Sequence, residues 1–328
     1  MRKSFFFLSV LLVCGLLELG ARLAQPWLES HVSFYYYRSI LKALVLKNPE
    51  LIWMGRPAAK ALIRNPLGEL IPYQQNSLGW RDEEFQLLRS PFNALVLGDS
   101  FSFGAGVRAE DRFSERLEKM FSGLDVWNLG VMGYAPDQEL LLAQRWLPPV
   151  RWRFVILQLS NNDLADIAHH QWLGVHSSSG LPSAIGAPSF HSWVSEFSEA
   201  WNFLAHLLIQ RRGVLSREEL EAALPRLILS VRACARLARS RGIPLLLLLA
   251  SDWGTPVYGP FVAESYRDSL LRLAKEEEFA VLEAGLQELL PAPDLHWTAA
   301  AHAKVAELLR PFVAQSLSAE PVFRKKRR

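Results

Sequence analysis

The stretch Asn93-Ala94-Leu95-Val96-Leu97-Gly98-Asp99-Ser100 decides how the rest of the chain is read. A short apolar run without alternating polar positions, closed by a glycine, is the pattern of a strand buried on both faces. Four more runs of this kind follow: Asp125–Asn128, Phe154–Leu159 (FVILQL), Pro244–Ala250 (PLLLLLA) and the weaker Phe279–Leu282. Amphipathic segments separate or follow them, at Arg112–Phe121, Asp137–Trp146, Phe261–Glu277 and Thr298–Phe312. A further one opens on Ser216-Arg217-Glu218-Glu219, a capping-box pattern, and runs to about Arg239 before the stop signal Arg241-Gly242. Strands alternating with helices predict an α/β fold: a five-stranded parallel sheet covered on both faces, with the functional site at the strands' carboxyl ends.

The composition is consistent with this. Of 328 residues, 50% are hydrophobic and 21% charged, which excludes a disordered chain and a multi-span membrane protein. The formal charge of +3 belongs to the two ends. Arg2 and Lys3 open the chain, and Arg324, Lys325, Lys326, Arg327 and Arg328 close it. Without those seven, 29 basic residues face 33 acidic ones, so the body is slightly acidic and no nucleic-acid partner is expected. Cys14 and Cys234, the two cysteines, exclude a disulfide framework and lack zinc-ligand spacing.

The amino end carries a different signal. Ser4 to Leu17 is uncharged and follows Arg2 and Lys3, as in a signal anchor or secretory signal. Glu18 and Arg22, four apart, can pair on one helix face at a membrane interface. A convincing cleavage site is lacking, since Arg22 or Leu19 would stand three residues before the candidate cuts. The reading favours an uncleaved membrane helix over residues 1–24, with the body periplasmic or extracellular, and a cleaved signal as the alternative. Residues 25–90 are aromatic and interrupted by prolines, and read as a short helix near Tyr36–Leu46 followed by an extended arm. Residues 91–318 form the main domain, interrupted at 164–215 by a Ser-, Gly- and Pro-rich insertion with His169, His170, His176 and His191. Residues 319–328 are a basic tail.

Four segments at strand ends carry chemistry. Ser100 stands at a sharp strand-to-helix turn that can expose its hydroxyl, with its own backbone N–H aimed into the same space. Asp294-Leu295-His296 lies between the last strand and the last helix, where a carboxylate can orient an imidazole that takes the serine proton. Asn128-Leu129-Gly130-Val131-Met132-Gly133 follows the second strand, and Ser160-Asn161-Asn162-Asp163 follows the third. A glycine N–H and an asparagine amide there can donate to a developing oxyanion. Each segment alone reads equally as a turn or a satisfied polar pair; their common placement is what points to one site.

In order and spacing these segments resemble the four blocks of the SGNH (GDSL) hydrolase family, over about Asn93 to Phe312. Asn76-Ser77-Leu78-Gly79-Trp80-Arg81-Asp82 resembles a stretch found before the first block in membrane-anchored bacterial members. The resemblance implies a flavodoxin-like three-layer α/β/α sandwich with strand order 2-1-3-4-5. It also implies Ser100 as nucleophile, His296 as base, Asp294 as its orienter, and an oxyanion hole from the Ser100 N–H, the Gly133 N–H and the Asn162 side chain. Three positions depart from the family pattern: Ser160 replaces a glycine, Phe101 replaces a leucine, and Asp294 stands two rather than three residues before His296. The shorter spacing resembles the polysaccharide-modifying branch. The implied function is a serine esterase acting on an O-acyl, acetyl above all, ester of a carbohydrate or lipid, with no cofactor and no metal. An O-acyltransferase to a cell-surface polysaccharide and a non-catalytic carbohydrate-binding protein are the alternatives.

Gly104-Ala105-Gly106-Val107-Arg108-Ala109 also matches a dinucleotide-binding pattern, but it begins several residues beyond the strand, and Asn128 stands where an acid is needed. The insertion's histidines fit no metal-ligand pair and read as a loop. His302 reads as a helix-surface or packing residue rather than a catalytic one. Trp253 and Trp297, near the last strand ends, read as core or as pocket walls, and Ser251-Asp252 as a possible substrate contact outside the triad.

Overall fold

The structure is a computed structural model that describes residues 2–31, 33–86, 90–170, 173–175, 182–184, 198–201, 204, 215–250, 260–291 and 294–319. Elements are numbered here in chain order. The two amino-terminal helices are α1 (Arg2–His31) and α2 (Ser33–Leu44). Two antiparallel hairpins follow, β1 (Val45–Asn48) with β2 (Ile52–Gly55) and β3 (Lys60–Arg64) with β4 (Leu70–Gln74). The main domain begins with β5 (Phe92–Leu97), α3 (Ser100–Phe103), α4 (Phe113–Met120), β6 (Leu124–Asn128), α5 (Pro136–Trp146), β7 (Trp152–Leu159) and α6 (Asp163–His170). A short ribbon, β8 (Leu173–Val175) and β9 (Pro182–Ala184), comes next. The domain closes with α7 (Arg217–Ser240), β10 (Leu245–Leu249), α8 (Pro260–Glu277), β11 (Ala280–Glu283) and α9 (Ala299–Ser318).

The five strands of the main sheet are all parallel, in the spatial order β6-β5-β7-β10-β11. Counted from β5, that order is 2-1-3-4-5, as the sequence reading expected. The pleat splits each strand between two cores. Leu95, Leu97, Val155, Leu157, Leu247 and Leu249 face one side with Leu142 of α5, Ile167 of α6, Val231 of α7 and Leu270 of α8. Ala94, Val96, Phe154, Ile156, Leu246 and Leu248 face the other with Leu117 of α4 and Leu309 of α9. This two-sided burial explains why the strands read as continuous apolar runs. The chain leaves β5 for β6 on one flank and returns to β7 on the other, so the sheet changes direction at β5. Open α/β sheets bind ligands in the crevice at such a point.

Residues 25–90 differ from the extended arm the sequence suggested. α1 runs past Pro26 to His31, α2 covers Ser33–Leu44, and two hairpins occupy 45–74. The β3–β4 pair was hard to read because its outward positions are charged or exposed and Pro72 sits inside β4; proline is tolerated there because the two strands pair only with each other. The first hairpin locks onto the main domain. Trp53 Nε1 donates to the Met132 carbonyl (3.1 Å), Tyr134 Oη donates to the Trp53 carbonyl (2.7 Å), and Gln138 Nε2 donates to the Leu51 carbonyl (2.6 Å). The stretch expected as an insertion from residue 164 starts inside α6, whose Leu164, Ala165, Ile167 and Ala168 are core residues.

Helix α1 contains Phe7–Glu29, 23 residues long and apolar enough to cross a membrane, the one such helix among the described residues. At 1.5 Å per residue it spans about 34 Å, enough for a hydrocarbon core. Leu12, Leu16, Leu17, Leu19 and Leu23 are each more than half exposed. Glu18 pairs with Arg22 (2.7 Å) as the spacing suggested, and also accepts from the Ser198 hydroxyl and the Glu199 and Ala200 amides.

Leu247 is fully buried between Leu157 and Val281. Leu247→Ala is predicted to cost about 2–5 kcal/mol in urea denaturation; a loss below about 1 kcal/mol contradicts the strand's central place.

Candidate active site

Ser100 is the first residue of α3, one turn of helix directly after β5. Asp99 caps that turn, its Oδ1 accepting the Phe101 N–H at 2.8 Å. Gln158 of β7 fixes it from the neighbouring strand: its Oε1 accepts from the Asp99 amide (3.2 Å), the Ser102 amide (3.0 Å) and the Ser102 hydroxyl (2.8 Å). Gly98 is required by this crowding, because a Cβ there would lie 2.5 Å from both Gln158 Oε1 and Ser102 Oγ. The turn ends on Gly104 in the left-handed region (φ 73°). Arg81, buried, braces the end by donating to the carbonyls of Phe103 (3.0 Å), Gly104 (2.5 Å) and Val107 (2.7 Å). Next to it, Asp82 Oδ2 accepts the Asn128 N–H at 2.8 Å. The Asn76–Asp82 stretch therefore supports the Ser100 turn from below.

Asp294 and His296 sit in the loop between β11 and α9. Leu295 between them has φ 64°, a strained conformation for leucine. That kink lets Asp294 Oδ1 reach both the His296 N–H (3.2 Å) and Nδ1 (2.6 Å). With the Nδ1 proton committed to the carboxylate, Nε2 is an acceptor, and the Ser100 hydroxyl donates to it at 2.6 Å. Ser100, His296 and Asp294 are thus in one hydrogen-bonded line, each less than a tenth exposed. Burial works against the Asp294 charge, but His296 beside it and the hydrogen bonds from His296 and Tyr36 outweigh this and hold the carboxyl below its usual range.

The candidate oxyanion donors are arranged differently from one another. The Ser100 and Gly133 amides donate to no carbonyl or side chain among the described residues. Gly133 has φ 74° and Trp53 packed over it, a conformation suited to glycine. The Asn162 amide donates one N–H to Asp166 Oδ2 at 2.7 Å, which leaves its second N–H. Asn128 and Gly130 are structural: Asn128 Nδ2 donates to the Ser102 carbonyl and Ser114 Oγ, and its Oδ1 accepts the Gly130 N–H.

Ser160, where the family pattern has glycine, links two site residues, lying 2.7 Å from Asp99 Oδ2 and 2.5 Å from Asn162 Oδ1. Its hydroxyl donates within this pair of acceptors, and complete burial pushes the Asp99 carboxyl up. Asp163 and Glu139 are also fully buried; burial, then the Asp99 and Glu139 charges, pushes the Asp163 carboxyl well up, and burial, then the Asp99 and Asp137 charges, pushes the Glu139 carboxyl well up. Neither Glu139 oxygen has a hydrogen-bond partner among the described residues.

His302 is a packing residue, as expected: it is buried, stacks on Phe113, and accepts the Phe113 N–H. Burial and nearby arginines push it down to about 3, so it is neutral. Trp297 is fully buried against Phe101, Phe113 and His302, so it belongs to the core and not to a pocket wall. Gly104 closes the Ser100 turn and Gly106 packs on Asp294, which accounts for the glycine pattern without a nucleotide. His176, His191, Trp253, Ser251, Asp252 and the basic residues 324–328 lie outside the described residues, as do the side chains of His169 and His170. No group of His, Cys, Asp and Glu suited to a metal occurs among the described residues. Three contributors escaped the sequence reading. Gln158 had a signal, a polar residue inside an apolar strand. Tyr36 and Tyr37 had only the aromatic run Tyr35-Tyr36-Tyr37.

No protein-family model and no curated protein matches the chain. Among solved structures, that of TesA aligns over 68% of this chain and 99% of its own, at 18% identity and TM-score 0.45. A lipolytic protein of the G-D-S-L family from Veillonella parvula aligns over 68% and 99%, at 11% identity and TM-score 0.45. A carbohydrate acetylesterase family member from Sinorhizobium meliloti aligns over 70% and 100%, at 14% identity and TM-score 0.43.

Glu139 gives the buried acids a measurable pH dependence. Its raised folded-state value means that the native chain keeps a proton the unfolded chain releases near pH 4. Its contribution to stability is therefore complete at low pH and lost as pH rises through the folded value. Glu139→Gln is predicted to raise the melting temperature more at pH 8 than at pH 4.5; equal shifts at the two pH values contradict this.

Proposed function

We propose that this protein is a serine ester hydrolase of the SGNH/GDSL family, held at a membrane by α1 with its body outside the cytoplasm. The observation that carries the reading is the continuous line from Ser100 Oγ through His296 to Asp294, at the point where the parallel sheet changes direction. Ser100 attacks the ester carbonyl as its proton passes to His296 Nε2, and Asp294 holds the resulting imidazolium. The Ser100 and Gly133 amides and the second Asn162 N–H receive the oxyanion; each such donor is worth on the order of 10²–10³ in rate. His296 then protonates the leaving alcohol, and water cleaves the acyl-enzyme by the reverse sequence.

The substrate is an O-acyl ester of a saccharide or lipid, with acetyl as the acyl group. The short Asp294-x-His296 spacing, similar to that of the polysaccharide-modifying branch, favours an acetylated polysaccharide. Transfer of the acyl group to a sugar hydroxyl uses the same site with a different acceptor, and water is the acceptor proposed here.

The full chain in detergent is predicted to hydrolyse 4-nitrophenyl acetate, and Ser100→Ala to lower kcat/KM by at least about 10³-fold. Unchanged activity in Ser100→Ala excludes Ser100 as nucleophile. With a sugar acceptor present, free acetate is the predicted product; an acylated sugar identifies a transferase.

A further inference from the structure

We infer that Tyr36, carried on α2 ahead of the main domain, is a positioning residue for Asp294. The inference rests on the hydrolase reading above. Asp294 Oδ1 is committed to His296, so the carboxylate's orientation depends on what holds its other oxygen. That oxygen, Oδ2, lies 2.6 Å from the Tyr36 hydroxyl, from a residue 258 positions away in the chain. Tyr36 is 2% exposed, and no water is needed to complete the contact.

The protons can be followed. An ionised Asp294 only accepts, so the Tyr36 hydroxyl donates its one proton to Oδ2. Tyr73 of β4, 1% exposed, accepts the Gly106 N–H at 2.8 Å. Gly106 is itself packed against the carboxylate, since a Cβ there would lie 2.5 Å from Asp294 Oδ2. Tyr37 closes the same side, its hydroxyl donating to the Asp294 carbonyl and its ring standing edge-on to His296. Burial, then the neighbouring Tyr73 and Asp294, push the Tyr36 phenol far up, so it stays a neutral donor at every working pH.

Two consequences follow. The outer half of the Asp294 environment comes from the segment that joins α1 to the body, because Tyr36 lies only five residues beyond the end of α1. And Tyr36 shares the carboxylate charge, so its removal leaves more of that charge facing the imidazolium.

The test uses the full chain in detergent, 4-nitrophenyl acetate hydrolysis, and the rate of Ser100 labelling by a fluorophosphonate. Tyr36→Phe keeps the ring and removes the hydroxyl. It is expected to lower kcat and the labelling rate roughly tenfold, in the range for lost outer partners of an oriented imidazole. KM is expected to stay unchanged and the acid limb of the pH profile to move to higher pH. An unchanged kcat and acid limb in Tyr36→Phe, or a fall in melting temperature alone, overturns the inference. Wild-type activity in Ser100→Ala would instead overturn the hydrolase reading, so the two failures are distinct.

Discussion

Asp294 is a buried carboxylate, and a buried carboxylate either collects donors or gives up its charge. In this chain two elements far apart in sequence converge to supply them, and a third packs against the carboxylate. The Asp294-Leu295-His296 turn bends through a strained leucine so that one oxygen holds the imidazole. The segment after the Ser100 turn brings the Gly106 backbone against the other oxygen, and α2 brings Tyr36. The line from Ser100 to His296 depends on that anchorage, because an imidazole free to turn would not keep Nε2 at the serine hydroxyl.

The contrast with the other buried acids is instructive. Asp99, Glu139 and Asp163 form no ion pair with Lys or Arg among the described residues, and burial pushes all three up. Asp294, equally buried, is held down by His296 and Tyr36. Two populations of carboxyl thus coexist near one serine, one whose charge its partners favour and one whose charge burial disfavours.

Much of the main domain was legible because strands buried on both faces leave apolar runs that a sequence cannot disguise. The five strands, their order and the capped helix after Ser216 all follow from such runs or from the resemblance they support. Ser100, His296 and Asp294 were legible because each stands at a strand end next to a turn signal. The amino-terminal hairpins were not, because strands of four or five residues that pair only with each other carry little periodicity, and Pro72 masks one of them. Tyr36 was invisible for a different reason. Its partner is 258 residues away, and nothing local distinguishes a tyrosine that completes a site from one that fills a core. The Asn162 amide shows the limit from the other side: the motif names the residue, while its donation to Asp166 is set by the fold.

The central claim is that Ser100 is a nucleophile activated by the His296–Asp294 pair. Peptide mapping by mass spectrometry after reaction of the full chain with a fluorophosphonate tests it most directly. The account predicts a single phosphonyl adduct on Ser100, absent when His296 is replaced by alanine. An adduct on another residue, or labelling of Ser100 at the same rate without His296, would contradict it.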